Sequence, residues 1–129
     1  MYVHFEVAFH SRSYWHFNPP EFSSNWYTDG SKTSEGTGAG IYGENASTEI
    51  SVSLGKYTSI FQAEVHAIEL CAREIFRTKP SNKNFCIFSH SESAIKALVL
   101  PSIKSKLVLQ CLGKLNELAN ENNVQLGTF

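Results

Sequence analysis

Three side chains in this sequence have the type and the position to carry chemistry. Asp29, the only aspartate of the chain, ends an apolar stretch in the segment YTDGS. Glu64 is the one acid expected on the inner side of a helix that begins near Ser59, and His90 follows the apolar run FCIFS. Paired carboxylates suit divalent cations, which prefer hard oxygen ligands. Two metals held in this way can activate a water and stabilise the leaving oxygen in phosphodiester cleavage.

The elements that must position these side chains follow the order β-β-β-α-β-α-β. Three strands come first, in NWYTDGS with a turn at Asp29-Gly30, in GTGAGIYGE and in TEISVSLG. Ser59 and Gln62 form a capping-box pattern that begins a helix. Its apolar residues recur at the helical period, and Glu64 falls on the edge of this buried stripe. The opposite, polar face is predicted to carry Gln62, His66, Glu69, Arg73 and Arg77.

The second half of the chain predicts a further strand, helices and a last strand. NFCIF is apolar on both faces, which is typical of a central strand in an α/β sheet. Ser89 and Glu92 make a second capping pattern, for a helix that runs to about Leu100 and ends at Pro101. IKSKLVLQCLGKLNELANEN is amphipathic and predicts a longer helix, and VQLGTF predicts a fifth strand in this frame. The sequence therefore predicts an α/β fold.

Composition predicts one domain of an intracellular protein. The 129 residues are 42% hydrophobic and 18% charged, which is enough apolar content for one core. No apolar run approaches the ~20 residues of a membrane span, and the N-terminus lacks the basic start and apolar core of a secretory signal. Cys71, Cys86 and Cys111 lie far apart in apolar contexts, which favours buried free thiols in a reducing compartment.

The net charge of −1 hides an uneven distribution. Segment 73–114 carries eight basic and two acidic residues, whereas segment 1–72 carries three basic and eight acidic ones. A basic segment in an acidic chain can bind a polyanion, or it can be a set of solvated helix faces. Charge alone favours the solvated faces.

The motifs in this order resemble the ribonuclease H family. WYTDGSK…GTGAGIY, FQAEVHAIELC and FCIFSHSESAIKAL carry the resemblance, which covers about residues 25 to 128 and is strongest to the ribonuclease H domain of non-LTR retrotransposon polyproteins. The resemblance implies a five-stranded mixed sheet flanked by helices. It also implies a magnesium-dependent endonuclease that hydrolyses the RNA strand of RNA–DNA hybrids, and the rest of a retroelement polyprotein as a partner.

The resemblance further implies four metal-binding acids, of which this chain has two. The first, at the end of strand one, matches Asp29, and the second, on the first helix, matches Glu64. The third closes the fourth strand and falls on His90, while the fourth lies on a helix beyond the fifth strand. We therefore expect residues 25–129 to form a ribonuclease H-like domain that is incomplete at its C-terminus, without the final helix. Residues 1–24 are expected to be an upstream segment or linker, in which the alternation of Val3, Phe5, Val7 and Phe9 allows a stray strand.

Replacement of an acid by His90 predicts an impaired metal site. A helix N-terminus disfavours positive charge, so the imidazole is expected to be neutral and able to ligate through nitrogen. Mg²⁺ is a poor match for imidazole, whereas Mn²⁺ tolerates it better. We expect weak binding of Mg²⁺ or Mn²⁺ and strongly reduced or absent cleavage.

The resemblance also gives the basic segment a partner. Helices after the first lie near the bound hybrid in this family, so Lys96, Lys104, Lys106 and Lys114 become candidates for phosphate contacts. Gly30 and Ser31 are further candidates for nucleic-acid binding, and the glycine-rich second strand is a candidate for contact with a minor groove.

Three hypotheses follow: a hybrid-specific ribonuclease domain, a non-catalytic nucleic-acid-binding remnant of a retroelement, or a fragment without a biochemical role. A nucleophile pair of Ser89 or Ser91 with His90 ranks below them, because adjacent side chains rarely reach hydrogen-bonding geometry.

Overall fold

One mixed sheet organises the described part of the chain, which in this computed structural model comprises residues 6–8, 23–44, 47–101 and 103–129. Its strands are β1 (Glu6–Ala8), β2 (Ser24–Thr33), β3 (Gly36–Gly43), β4 (Thr48–Gly55), β5 (Asn84–Ser89) and β6 (Asn123–Thr128). The helices are α1 (Ile60–Phe76), α2 (Glu92–Val99) and α3 (Lys106–Ala119). The predicted α/β class and the order of elements from β2 to β6 are confirmed.

The strands lie in the order β1-β6-β5-β2-β3-β4. β2, β3 and β4 are antiparallel neighbours, whereas β2, β5, β6 and β1 run parallel. Short turns can join antiparallel strands, but parallel strands need a longer crossover. Helix α1 lies in the connection from β4 to β5, and helices α2 and α3 lie in the connection from β5 to β6. Strand β2 thus occupies a central position, which is the condition under which the sequence predicts that Asp29 approaches Glu64.

Strand β1 adds a sixth strand to the five expected from residue 25 onward. It pairs in parallel with β6, with Val7 opposite Leu126. The period-2 alternation in this part of the sequence allowed a stray strand. The structure forms one over three residues, because the edge of β6 offers unpaired backbone groups.

Two local features of β2 and α2 differ from the sequence prediction. A turn was predicted at Asp29-Gly30, but β2 continues to Thr33 and the chain turns at residues 34–35. Gly30 serves close packing against α1 instead of a turn. The second helix is capped by Ser91, whose hydroxyl accepts a hydrogen bond from the Ala94 N–H at 3.1 Å. The predicted cap at Ser89 is wrong because β5 extends through that residue.

Helix α1 begins as predicted. The Gln62 N–H donates to Oγ of Ser59 at 3.0 Å, and the Ser59 N–H donates to Oε1 of Gln62 at 2.9 Å. These two bonds are the reciprocal capping box that the sequence pattern indicates.

The helices and the inner side of the sheet share one core. Trp26, Ile41, Ile87 and Leu126 supply strand residues, and the buried sides of α1, α2 and α3 pack against them. The three cysteines are buried and free, as predicted. Among the described residues, no helix is both long and apolar enough to cross a membrane.

Glu69 corrects the prediction for the polar face of α1. It is 7% exposed, and its Oε1 is buried without a hydrogen-bond partner among the described residues. The other carboxylate oxygen, Oε2, lies 3.1 Å from Nε of Arg73. Helix α3 packs on α1, so part of the helix face that looks solvent-facing in the sequence is covered.

Candidate functional site

The parallel pairing of β2 with β5 brings Asp29 and His90 together. β2 pairs with β5 so that Thr28 lies opposite Ser89. The next residue along each chain therefore reaches the same edge of the sheet. Nδ1 of His90 lies 3.8 Å from Oδ1 of Asp29, and the two side chains are 55% and 63% exposed. Solvent therefore screens their interaction.

Glu64 reaches this edge because Gly30 lets α1 approach β2. A Cβ atom at residue 30 would stand 2.6 Å from the backbone nitrogen of Glu64 and 2.9 Å from Cβ of Ala63. Any side chain at residue 30 would push the helix away from the strand. The backbone N–H of Gly30 also donates a hydrogen bond to the Glu64 carboxylate. Gly30 thus sets the position of the second acid beside the first.

Glu64 is a buried carboxylate with unused bonding capacity. It is 8% exposed, and its Oε2 has no hydrogen-bond partner among the described residues. Burial, and after it the negative charge of Asp29, raise the pKa of Glu64 from 4.5 to about 7, against the lowering effect of the hydrogen bond from Gly30. No positive side chain among the described residues forms an ion pair with this carboxylate, so its charge is not stabilised in that way.

The donor set fits one hard cation better than two. Asp29 and Glu64 supply the carboxylate oxygens that Mg²⁺ and Mn²⁺ prefer, and Oε2 of Glu64 is an available acceptor. His90 offers a nitrogen, which suits Mn²⁺ better than Mg²⁺. In residues 6–8, 23–44, 47–101 and 103–129, no group of three or more His, Cys, Asp or Glu side chains is arranged to hold a metal ion. The two carboxylates would therefore carry the charge of the site.

The ring of His90 stacks on Phe129, with centroids 3.8 Å apart and planes inclined by 30°. Its predicted neutral state and metal-ligand role stay predictions. The neighbouring serine hydroxyls have other partners, because Oγ of Ser89 accepts the Ser91 N–H at 3.0 Å and Oγ of Ser91 accepts the Ala94 N–H. These bonds serve the turn and the helix cap, and they disfavour a Ser–His nucleophile pair.

The four lysines proposed for phosphate contacts have different surroundings. Lys104 donates to the carbonyl oxygens of Ala97 and Leu100 at 2.8 Å each, so it caps the C-terminal end of α2. Lys96 pairs with Glu92 at 2.7 Å, and Lys114 lies 3.4 Å from Glu117. Lys106, at the start of α3, lines a groove with residues of α1 that include Gln62 and His66. Lys104 is thus the lysine most fully committed to the fold.

Ser31 and Gly30, the two residues of β2 predicted to contact nucleic acid, differ in their exposure to solvent. Ser31 is exposed on the same side of β2 as Asp29, and it lines a shallow groove with Gly38, Gly40 and Ser51. Gly30 is buried against α1, which leaves little surface for the predicted contact with nucleic acid. Ser31 is therefore the better placed of the two for such a contact.

An aromatic surface beside the acids was not recognised from the sequence. Tyr27 stacks on Phe88 with centroids 5.2 Å apart, and Phe129 meets Tyr27 edge-on at 5.4 Å. Tyr27 and Asp29 are two residues apart in β2, so they point to the same side of the sheet. The alternation of Tyr27 and Asp29 along the predicted strand was the sequence signal that could have placed an aromatic ring beside the first acid.

No family model matches the sequence, and no curated protein matches it.

Proposed function

We propose that this chain is a ribonuclease H-like domain that binds RNA–DNA hybrids and retains little or none of the family's metal-dependent hydrolysis of the RNA strand. The observation that carries this proposal is the convergence of Asp29, within β2, with Glu64 of α1 and with His90, which directly follows β5. These are the positions of the first three acids in the family that the sequence resembles. The mixed sheet with helices is compatible with such a fold.

Pairing of two carboxylates supports a cation site. Burial, and after it the charge of Asp29, disfavour ionisation of Glu64, and Oε2 of Glu64 has no hydrogen-bond partner among the described residues. A divalent cation would relieve both conditions, because it attracts the two charges and takes up the available oxygen. Such a cation, when bound, would supply an activated water and stabilise negative charge at phosphate.

His90 supports the proposal of weak or lost hydrolysis. A neutral imidazole contributes no negative charge where the resembling family has a carboxylate, and a protonated one would repel a cation. Two carboxylates give less charge than two closely spaced divalent cations require. We therefore propose that the chain retains hybrid binding better than cleavage, which makes a non-catalytic nucleic-acid-binding domain the second candidate function.

Binding to phosphate is proposed for Lys96, Lys106 and Lys114, on α2 and α3. Each phosphate that a cationic side chain neutralises releases counterions, so affinity falls as salt rises. Such contacts are independent of base sequence. Selection of a hybrid over duplex DNA would then come from contacts with 2′-hydroxyl groups, for which exposed Ser31 is placed beside Asp29.

The test combines binding and cleavage on one labelled RNA–DNA hybrid. We expect binding that weakens steeply with salt, and at most slow cleavage that is faster with Mn²⁺ than with Mg²⁺. Each single reversal, Lys96→Glu, Lys106→Glu or Lys114→Glu, should weaken binding and reduce the salt dependence, and the three together should do so further. Lys79→Glu makes the same change of net charge as one single reversal, but outside α2 and α3, and should have a smaller effect. A variant with all three reversals that binds with unchanged affinity and salt slope would refute the assigned surface. Efficient Mg²⁺-dependent cleavage that Asp29→Asn abolishes would refute the loss of activity while supporting the family assignment.

A further inference from the structure

A small cleft on the sheet combines aromatic walls with carboxylates. Tyr27, Tyr42 and Phe129 line it together with Asp29 and Glu49, and its volume is about 210 Å³. Tyr42 and Phe129 are 46% and 52% exposed, which is high for large apolar rings. These five residues are called the aromatic cleft below.

The rings of the aromatic cleft are held at angles to one another. Phe129 stands nearly perpendicular to Tyr27, with an interplanar angle of 80° and a centroid distance of 5.4 Å. Tyr42 is tilted by 31° from Tyr27 at 6.3 Å. The hydroxyl of Tyr27 donates to Oε2 of Glu44 at 3.4 Å, and its ring also stacks on Phe88. Tyr27 is therefore fixed on both its ring and its hydroxyl, which preorganises one wall.

The charge of the aromatic cleft selects for a cation. Of the described residues that line it, two are acidic and none is basic. Glu49 lies directly opposite Tyr42 in the pairing of β3 with β4, so a carboxylate and an aromatic ring stand side by side. The face of an aromatic ring is electron-rich and attracts cations, and nearby carboxylates add to this attraction.

We propose that the aromatic cleft binds an organic cation with an N-methylated ammonium head group. A trimethylammonium group presents a weakly hydrated positive surface that aromatic rings can cover without removing strongly bound water. The volume of about 210 Å³ is below the roughly 300–1,000 Å³ of typical drug-sized sites, so it suits a head group and a short chain. This inference stands independently of hybrid binding or hydrolysis by the same chain.

Titration with choline tests the proposal against a neutral molecule of the same shape. The probes are choline and 3,3-dimethylbutan-1-ol, which replaces the charged nitrogen with carbon, and binding is followed by protein NMR. We expect choline to shift resonances of the aromatic cleft in a saturable way and the alcohol to bind at least about tenfold more weakly. Equal binding of the two probes, or no saturable shift by choline, would overturn the proposal.

Two variants locate the site, and each has a matched control. Tyr42→Leu should weaken choline binding by about fivefold, which is the effect of about one cation–π contact at a partly exposed position. Tyr57→Leu is its control, because Tyr57 is 97% exposed and does not line the cleft. Glu49→Gln should also weaken binding, whereas Glu35→Gln should not. Equal effects within each pair would overturn the assignment to this cleft.

Peptides distinguish the two sources of such a head group. A short peptide with trimethyl-lysine and the same peptide with unmodified lysine are titrated beside choline. We expect the methylated peptide to bind more tightly than the unmodified one, and a preference for unmodified lysine would overturn the proposal. If the methylated peptide also exceeds choline, the ligand is a protein side chain. If choline is the tighter of the two, the ligand is a small free cation.

Discussion

Replacement of His90 with aspartate tests the proposed cation site formed by Asp29 and Glu64. Nδ1 of His90 lies 3.8 Å from Oδ1 of Asp29, so a carboxylate at residue 90 would lie at a similar distance. Two unit charges about 4 Å apart repel by about 1 kcal/mol in bulk water and about 4 kcal/mol at an effective dielectric of 20. Both side chains are more than half exposed, so the lower value applies. We expect His90→Asp to lower the unfolding free energy by about 1 kcal/mol in metal-free buffer.

The same carboxylate should favour a bound divalent cation by about twice that amount, because the cation carries two charges. The affinity for Mg²⁺ or Mn²⁺ should therefore rise about ten- to thirtyfold. Calorimetric titration measures this affinity, and thermal unfolding with and without MnCl₂ measures the linked gain in stability. His90→Asn is the matched control, since it removes the ring without adding charge. The reasoning is refuted if His90→Asp and His90→Asn bind Mn²⁺ equally, or if metal does not restore the stability of His90→Asp.

Two further predictions concern Gly30 and Glu64. Gly30→Ala should lower the unfolding free energy by about 1–3 kcal/mol, because the added Cβ overpacks against the α1 backbone. The control, Gly113→Ala in α3, should raise the unfolding free energy by up to about 1 kcal/mol, because its added Cβ meets no packed neighbour within 4 Å among the described residues. Urea unfolding of both variants measures these changes, and equal changes would contradict the prediction. Because the pKa of Glu64 rises from 4.5 to about 7 on folding, the folded state holds more protons between these values, and the wild type should lose about 2–3 kcal/mol of stability as pH rises from about 4.5 to 7. Glu64→Gln should remove this loss, so that in EDTA its unfolding free energy increasingly exceeds that of the wild type as pH rises from 4 to 8. Exposed Glu117→Gln is the control. Identical pH profiles of stability for Glu64→Gln and the wild type would exclude the Glu64 carboxylate as the cause.

The sequence predicted the strands and helices from β2 onward because each has a clear period and a local stop. Glu64 was recognised because an acid at the edge of an apolar helical stripe has no local explanation, and the structure buries it beside Asp29. The capping box at Ser59 was recognised because its two bonds are local. Each of these features depends on residues a few positions apart.

Features that depend on contacts between distant elements were missed. Gly30 was assigned to a turn because glycine is common in turns, and only the packing of α1 on β2 shows that it needs the absence of a Cβ atom. Glu69 was assigned to solvent because its neighbours in α1 are polar, and only the packing of α3 shows that it is covered. The aromatic cleft joins β2, β3, β4 and Phe129, and no local pattern connects these segments.

Asp29 belongs both to the acid pair with Glu64 and to the aromatic cleft, so the two proposed kinds of cation would compete for one carboxylate. A small divalent ion is strongly hydrated and needs oxygen ligands, which directs it to the buried Oε2 of Glu64. An alkylated ammonium is weakly hydrated and prefers the rings. His90 shifts this balance: it supplies no carboxylate to a metal, and its ring stacks on Phe129, a wall of the aromatic cleft. If both proposals hold, His90 therefore adds no negative charge to the metal site while its ring holds one wall of the aromatic cleft.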